Sequence, residues 1–139
     1  MQAGFKKNKN AFGIYASDSA FYAVTLKNQQ AVETVCSDMS KASKGLDVNV
    51  LHKLILEKIL GIGDKQLASQ SNIEYIKDIG DAIDKSIAKV DSKQSQAMFF
   101  MNATRVEQVK AVATGGEKMP QKSTFFYPKI FTGLVINKL

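Results

Sequence analysis

Between residues 97 and 116 the chain reads AMFFMNATRVEQVKAVATGG, an apolar run followed at once by a helical pattern. Residues 97–101 are apolar without interruption, as expected of a strand buried on both faces, and Asn102 ends the run. Thr104 and Glu107 have the spacing of a capping box, which starts a helix. An apolar stripe at three-residue steps then leads to a pair of glycines: Val106, Val109, Val112, Gly115 and Gly116. This region predicts a strand followed by a short helix.

A longer amphipathic helix is predicted upstream, over residues 71–93. Ser71 and Glu74 form a second capping box. The apolar residues follow at steps of three and four: Ile73, Ile76, Ile79, Ile83, Ile87 and Val90. Asp81 and Lys85 have the i,i+4 spacing at which opposite charges attract each other on a helix.

Another amphipathic helix precedes it. We expect Asp47 to be its N-cap and Gly61, reinforced by Gly63, to end it, because glycine readily leaves the helical conformation. Its apolar stripe consists of Leu51, Leu54, Ile55 and Ile59.

The N-terminal part of the chain favours strands. Residues 21–26 read FYAVTL, and residues 17–19, SDS, form a turn signal between them and the apolar residues 12–15. These segments predict a β-hairpin. Residues 31–35, AVETV, also alternate, so this region predicts two or three strands joined by turns. Residues 124–136 predict a last strand that Pro128 interrupts.

These elements predict an α+β fold in a single domain over residues 1–139. Its parts are an N-terminal β-hairpin region, two amphipathic helices and a strand–helix–strand unit, with sub-parts over residues 11–68 and 71–139. The apolar fraction of 45% and charged fraction of 23% are those of a globular chain with one core. No run approaches the roughly 18 apolar residues of a membrane span, so no membrane contact is expected. The basic N-terminus, with Lys6, Lys7 and Lys9, lacks the apolar core of a secretion signal.

The net charge of +6 is spread along the chain, and each half carries about half of it. Lysine supplies nearly all of the positive charge, and Arg105 is the single arginine. Proteins that read a nucleic-acid sequence concentrate their charge and use arginine for bidentate contacts. The excess of lysine therefore favours solubility or weak, nonspecific contact with phosphate.

No set of catalytic side chains emerges from the sequence. Cys36 is the single cysteine, which excludes an internal disulfide and favours a thiol-containing compartment such as a cytoplasm. We interpret it as a buried thiol rather than a nucleophile, since the single histidine, His52, has no third group to orient it. Gly61-Ile62-Gly63 follows a helix rather than a strand, so it is a helix end and no phosphate loop. Gly115-Gly116-Glu117-Lys118 lacks the remaining residues of a P-loop and predicts a turn.

Two clusters could bind ligands. Asp78, Asp81 and Asp84 lie three residues apart, but they lack the glycine and the closing glutamate of a calcium loop, so a solvated face is favoured. The aromatic cluster, interleaved with Lys122 and Lys129, could stack single-stranded bases, although a core strand pair with an exposed edge is favoured: Phe99, Phe100, Phe125, Phe126, Tyr127 and Phe131. We expect no catalytic residue, no metal site, no cofactor and no small-molecule substrate.

The order of these elements resembles that of the major capsid proteins of tailed phages, a fold shared with encapsulin shells. Residues 79–90 resemble the helix that leads into the axial domain, and residues 99–112 resemble the following strand and helix, with Met101-Asn102 before the helix. Gly116-Glu117-Lys118 resembles the next turn, and residues 130–135, IFTGLV, resemble a later strand. Residues 25–60 resemble the peripheral strand and long helix. Family chains are longer, so the resemblance implies a fragment or a reduced relative.

The resemblance implies a non-enzymatic structural subunit that self-assembles into a virion or protein shell. Its partners would be copies of itself and packaged nucleic acid, which its lysines contact nonspecifically, in a virion or the cytoplasm of a bacterial host. Two alternatives remain open from the residues. One is a small binding module of a secretion or pilus apparatus that adds a partner strand to its hairpin edge. The other is a nonspecific nucleic-acid-binding protein.

Overall fold

A three-stranded antiparallel sheet and six helices make up the part of the chain that the computed structural model describes, residues 10–125. This is the predicted α+β class. The strands are β1 (Ala11–Ala16), β2 (Phe21–Thr25) and β3 (Ala97–Met101), in the order β2-β1-β3. The helices are α1 (Gln30–Val35), α2 (Lys41–Lys44), α3 (Asp47–Asn49 continued by Val50–Ile59), α4 (Asp64–Ser69), α5 (Ala82–Asp91) and α6 (Val106–Thr114).

The predicted hairpin is confirmed. Strands β1 and β2 pair in the register that sets Gly13 opposite Ala23. The amide of Ser19 donates to the carbonyl of Ala16 at 3.0 Å, and the amide of Ala16 donates to the carbonyl of Ala20 at 3.4 Å. Ser19 has a φ of 58°, the left-handed conformation that three-residue hairpin loops require.

Of the two or three strands predicted for this region, the third does not form, because residues 30–35 form helix α1. The side chain of Asn28 accepts a hydrogen bond from the amide of Gln30 at 2.9 Å and so starts a helical turn. Val32, Val35 and Cys36 then share one helical face, which packs into the main core. Five residues of alternating polarity fit a strand, but the same apolar residues also fit a helix, and contact with the core selects the helix.

Helix α3 lies at the centre of the fold. Leu46 is its N-cap, and Asp47 is its first residue rather than the predicted cap. From Val50 onward the helix is π-helical, with the amide of Leu60 bonded to the carbonyl of Ile55 at 3.0 Å. Hydrogen bonds between residues five apart make each helical turn wider, so the apolar residues of the predicted stripe no longer share one face. Ile59, the last of them, is 68% exposed. The predicted end at Gly61 is confirmed, with a φ of +70° there.

The predicted long helix over residues 71–93 is confirmed only over α5. Gly80 has a φ of +61°, so no helix runs through it, and Ile79 is 58% exposed. The expected capping box does not form, because the carboxylate of Glu74 instead pairs with Lys89 at 2.7 Å. The predicted pair at i,i+4 does form, since Lys85 Nζ lies 3.0 Å from Asp81.

Strand β3 and helix α6 match the predicted strand–helix pair with two differences. Strand β3 lies at a sheet edge and is half-buried rather than buried on both faces. The N-cap of α6 is Arg105, whose amide donates to Gln108 Oε1 at 2.9 Å, and Thr104 instead donates its hydroxyl proton to the carbonyl of Ser123 at 2.7 Å. The glycine end of α6 is confirmed at Gly115. The predicted last strand lies, from residue 126 onward, outside the described residues.

The main core lies between the sheet and the helices α1, α3 and α4. Its members are fully or nearly fully buried: Phe12, Val32, Cys36, Val50, Leu51, Leu56 and Leu67. A smaller cluster of Leu46, Val48 and Val112 attaches α6. Helix α5 is attached to β1 through the hydroxyl of Tyr15, which donates to Asp91 Oδ1 at 2.6 Å.

A carboxylate links the sheet to helix α3. Asn10 Nδ2 donates to Asp47 Oδ1 at 2.7 Å and to the carbonyl of Gly45 at 3.1 Å. Asn102 Nδ2 donates to Asp47 Oδ2 at 3.3 Å and to the carbonyl of Ala11 at 3.1 Å. Asn102, which follows the apolar run, thus holds the ends of two strands against a helix and does not cap α6.

We expect Asp47→Ala to lower the free energy of unfolding by about 1–3 kcal/mol, because the buried amide of Asn10 and the half-buried amide of Asn102 lose a charged acceptor. Urea unfolding measures this change. Asp78→Ala, at an exposed position, is the control and is expected to change stability by less than about 0.5 kcal/mol. Equal effects of the two substitutions would contradict the proposed link.

Candidate functional site

The outer strand β2 is exposed on both faces. Phe21 is 66% exposed, Tyr22 48% and Val24 38%, and every residue of the strand is exposed. Sheet neighbours alternate between faces, so Phe21 lies on one side of the sheet and Tyr22 and Val24 on the other. The helices therefore cover the sheet at β1 and leave β2 largely open to solvent.

The backbone of β2 also has an open side. In an antiparallel ladder, hydrogen-bonded and non-hydrogen-bonded pairs alternate. The amide of Leu26 donates to the carbonyl of Asn10 at 2.9 Å, so the pairs that contain Val24 and Tyr22 are the bonded ones. The amide and carbonyl groups of Phe21, Ala23 and Thr25 therefore point away from β1, along an edge that no other strand within residues 10–125 occupies.

The ends of this edge carry opposite charges. Asp18, in the turn before β2, accepts hydrogen bonds from the amide of Ala20 at 3.2 Å and from the hydroxyl of Tyr22. The bond from Tyr22 lowers the pKa of Asp18 and raises the pKa of Tyr22. The exposed Lys27 follows the other end. Between these charges, residues 19–26 contain neither a charged residue nor proline, the usual protections of an exposed edge.

The aromatic residues on one face continue across the sheet. The ring centroid of Phe21 lies 4.5 Å from that of Tyr15 and 5.9 Å from that of Phe100. All three strands thus contribute a ring to the same face, and Phe21 on β2 is the most exposed of the three. An apolar surface of this kind favours contact with another protein. We call β2 and its exposed side chains the β2 edge.

A groove of about 610 Å³ lies elsewhere, along helix α3. The polar and charged residues that line it are Asp38, Ser43, Asn49, His52, Lys53, Asp64, Tyr75, Glu117, Lys118 and Gln121. Met39, Leu67, Ala68 and Pro120 supply its apolar surface.

His52 belongs to this groove and is 9% exposed. Its ring meets that of Tyr75 edge to face, with centroids 6.2 Å apart. Burial, followed by the nearby charge of Lys53, lowers the pKa of His52. The neutral form of the imidazole therefore predominates at pH 7.

Glu117 joins the end of the groove to helix α2. Its carboxylate accepts hydrogen bonds from the amide of Ser40 at 2.7 Å, from the hydroxyl of Ser40 at 2.8 Å and from the hydroxyl of Ser43. These bonds lower the pKa of Glu117, and the bond from the Ser43 hydroxyl has the largest effect. The sequence pattern predicts for Glu117 only a place in a glycine turn.

The other residues considered in the sequence lie apart from the groove. Cys36 is 0% exposed, as expected, and burial raises the pKa of its thiol. Asp78, Asp81 and Asp84 are all exposed, and within residues 10–125 no group of three or more His, Cys, Asp or Glu residues is placed to hold a metal ion. Gly61-Ile62-Gly63 is a helix end, as predicted.

The predicted aromatic cluster is only partly described. Phe99 and Phe100 are half-buried in β3, and Phe125 is 46% exposed, with Lys77 Nζ 4.5 Å from its ring centroid. Phe126, Tyr127, Lys129 and Phe131 lie outside the described residues. Sequence reasoning missed Asn49, Tyr75 and Glu117, because only folding brings these separate segments together.

We expect acid to destabilise the protein through His52. Its pKa in the folded state lies below the usual 6.5, so the unfolded chain binds the proton more tightly, and stability falls as the pH drops from about 7.5 to about 5.5. Urea unfolding across this range measures the loss. His52→Phe, which cannot be protonated, is expected to reduce it, and an unchanged pH dependence in this variant would contradict the assignment.

A scan against protein-family models finds no match, and searches of curated proteins and of solved structures find no similar protein either. The resemblance to capsid proteins therefore stays a prediction. Among the described helices, none has the length and apolar character needed to cross a membrane.

Proposed function

We propose that this protein is a non-enzymatic structural subunit that self-assembles into a protein shell or virion, with copies joined at the β2 edge. The open strand β2, uncharged and exposed on both faces, supports this proposal above all other features. An open edge is a template for a further strand, and monomeric proteins usually protect it with charge or proline.

A second copy of β2 fits this edge in an antiparallel arrangement. The outward-facing groups belong to Phe21, Ala23 and Thr25, so two copies pair fully when Phe21 faces Thr25 and Ala23 faces Ala23 of the other copy. The charged residues at the two ends of β2, Asp18 and Lys27, also favour an antiparallel arrangement. Antiparallel strands bring Asp18 of one copy near Lys27 of the other, whereas parallel strands would bring like charges together.

An antiparallel pairing of two identical strands uses the β2 edge of both copies, so this contact by itself joins two copies into a dimer. A five-residue strand forms few hydrogen bonds, so the contact is weak, and a shell would form from such dimers through further contacts between them. The lysine-rich composition would permit nonspecific contact with packaged nucleic acid. The proposed location is a virion or the cytoplasm of a bacterial host.

A binding module that accepts a strand from a different protein, as in a secretion or pilus apparatus, is the second candidate. The same edge supports it, because strand addition uses backbone groups and pockets for alternate side chains. A protein that remains monomeric at all concentrations would favour this candidate over self-assembly.

We expect Phe21→Lys to abolish self-association, because it places a charge on the β2 edge and removes an exposed ring. Light scattering with negative-stain microscopy over a concentration series measures assembly. Val106→Lys is the matched control, since Val106 is 74% exposed on α6, away from β2, and is expected to assemble normally. A strictly monomeric parent protein, or equal loss in both variants, contradicts the proposal.

Single cysteine substitutions test the pairing of the strands. In the proposed register the two Ala23 Cα atoms lie about 5.5 Å apart, within reach of a disulfide. Ala23→Cys is therefore expected to form a covalent dimer on oxidation. Phe21→Cys and Thr25→Cys are expected to form none alone, because equivalent atoms lie about 13 Å apart, but to cross-link when mixed.

The parent protein is the control, since its buried Cys36 should not react. Self-linkage of all three variants would indicate parallel strands and contradict this register. Assembly without any of these cross-links would place the contact elsewhere on the protein.

A further inference from the structure

We propose that the groove along helix α3 binds an uncharged, planar nitrogen heterocycle of the nucleobase or nucleoside class. This inference is independent of self-assembly at the β2 edge. It differs from the sequence-based expectation that the protein binds no small molecule. Two buried polar side chains whose hydrogen-bonding atoms open into the groove support it.

Asn49 and His52 supply these atoms. They are 5% and 9% exposed, and they lie three residues apart on α3, so they share a face. Asn49 Nδ2 donates to the carbonyl of Ser43 at 2.8 Å, but within residues 10–125 neither Asn49 Oδ1 nor the two nitrogens of His52 have a hydrogen-bond partner. On described residues that are not exposed, every side-chain N or O atom that is closed to solvent does have one, so these three atoms reach solvent, and both residues line the groove.

The available groups match the edge of a nucleobase. A neutral imidazole presents one donor and one acceptor, and the oxygen of Asn49 adds a second acceptor. Bases present donors and acceptors side by side in one plane, and proteins that bind a single base read this edge with such side chains. An apolar ligand, or one that can only donate or only accept hydrogen bonds, would leave some of these groups without a partner.

The walls of the groove suit a flat ring. Tyr75 contributes an aromatic surface, and Leu67, Met39 and Pro120 contribute apolar ones. Aromatic side chains stack on bases whatever the sequence, because every base has a π face. The volume of about 610 Å³ lies within the range of small-molecule sites.

The charges along the groove favour a ligand without phosphate. Among residues 10–125, three carboxylates line it, those of Asp38, Asp64 and Glu117. Two ammonium groups accompany them, those of Lys53 and Lys118. Lys53 already pairs with Asp64 at 3.0 Å and with Glu57 at 2.9 Å. The excess of negative charge would repel a phosphate, so a nucleoside fits better than a nucleotide.

Proton NMR tests this proposal on the full chain. His52 is the single histidine, so its imidazole signal is an isolated reporter within the groove. We expect adenosine or cytidine at millimolar concentration to shift this signal in a saturable way. Adenosine monophosphate is expected to bind more weakly than adenosine, and indole, which lacks most of the polar groups, more weakly still.

A variant provides the second measurement. His52→Phe keeps a ring but removes both nitrogens, and we expect it to weaken nucleoside binding about tenfold. Val106→Lys is the control, because Val106 does not line the groove, and this variant should bind nucleoside as the parent protein does.

The absence of any shift at about 10 mM of both nucleosides overturns the proposal, as does indole binding equal to that of adenosine. Unchanged affinity in a folded His52→Phe variant also overturns it. If that variant does not fold, the parent titration alone decides the question.

Discussion

The carboxylate of Asp47 holds together segments that are far apart in the chain. It accepts hydrogen bonds from Asn10, just before β1, and from Asn102, just after β3, at the N-terminus of helix α3. A helix N-terminus favours negative charge, so the same group is stabilised by the helix that it begins. This link positions the sheet against α3, and apolar residues of both pack into one core. None of the residues of the β2 edge lines the groove along α3.

The sheet is covered unevenly, and this explains why β2 is open. The middle strand β1 contains the buried residues Phe12 and Tyr15, and α5 packs against β1 and β3. No described helix packs extensively on β2, whose contacts are mainly with β1. A strand with aromatic residues on both faces and no protective charge retains both its apolar surface and its backbone groups for a partner.

The groove combines burial of polar side chains with access of some of their atoms to solvent. Buried polar atoms usually have a hydrogen-bond partner, because burial without one costs free energy. Asn49 and His52 keep their free atoms at the groove surface, where solvent or a ligand can reach them. The neutral form of His52 follows from the same burial that makes the residue a useful hydrogen-bonding group. Stability and the proposed binding would therefore both depend on the protonation state of this histidine.

Several elements could be predicted from the sequence because local chemistry specifies them. The turn at residues 17–19, the helix ends at Gly61 and Gly115, and the apolar run in β3 all depend on the conformational preferences of a few adjacent residues. Residues 31–35 and 71–80 were predicted wrongly, since short apolar patterns fit several structures and only contact with the core and the left-handed turn at Gly80 select among them. His52 was visible in the sequence, but its burial, its neighbour Tyr75 and the free oxygen of Asn49 were not. These features arise from segments that meet only in the folded chain, where long-range packing, rather than local preference, sets which polar atoms remain open.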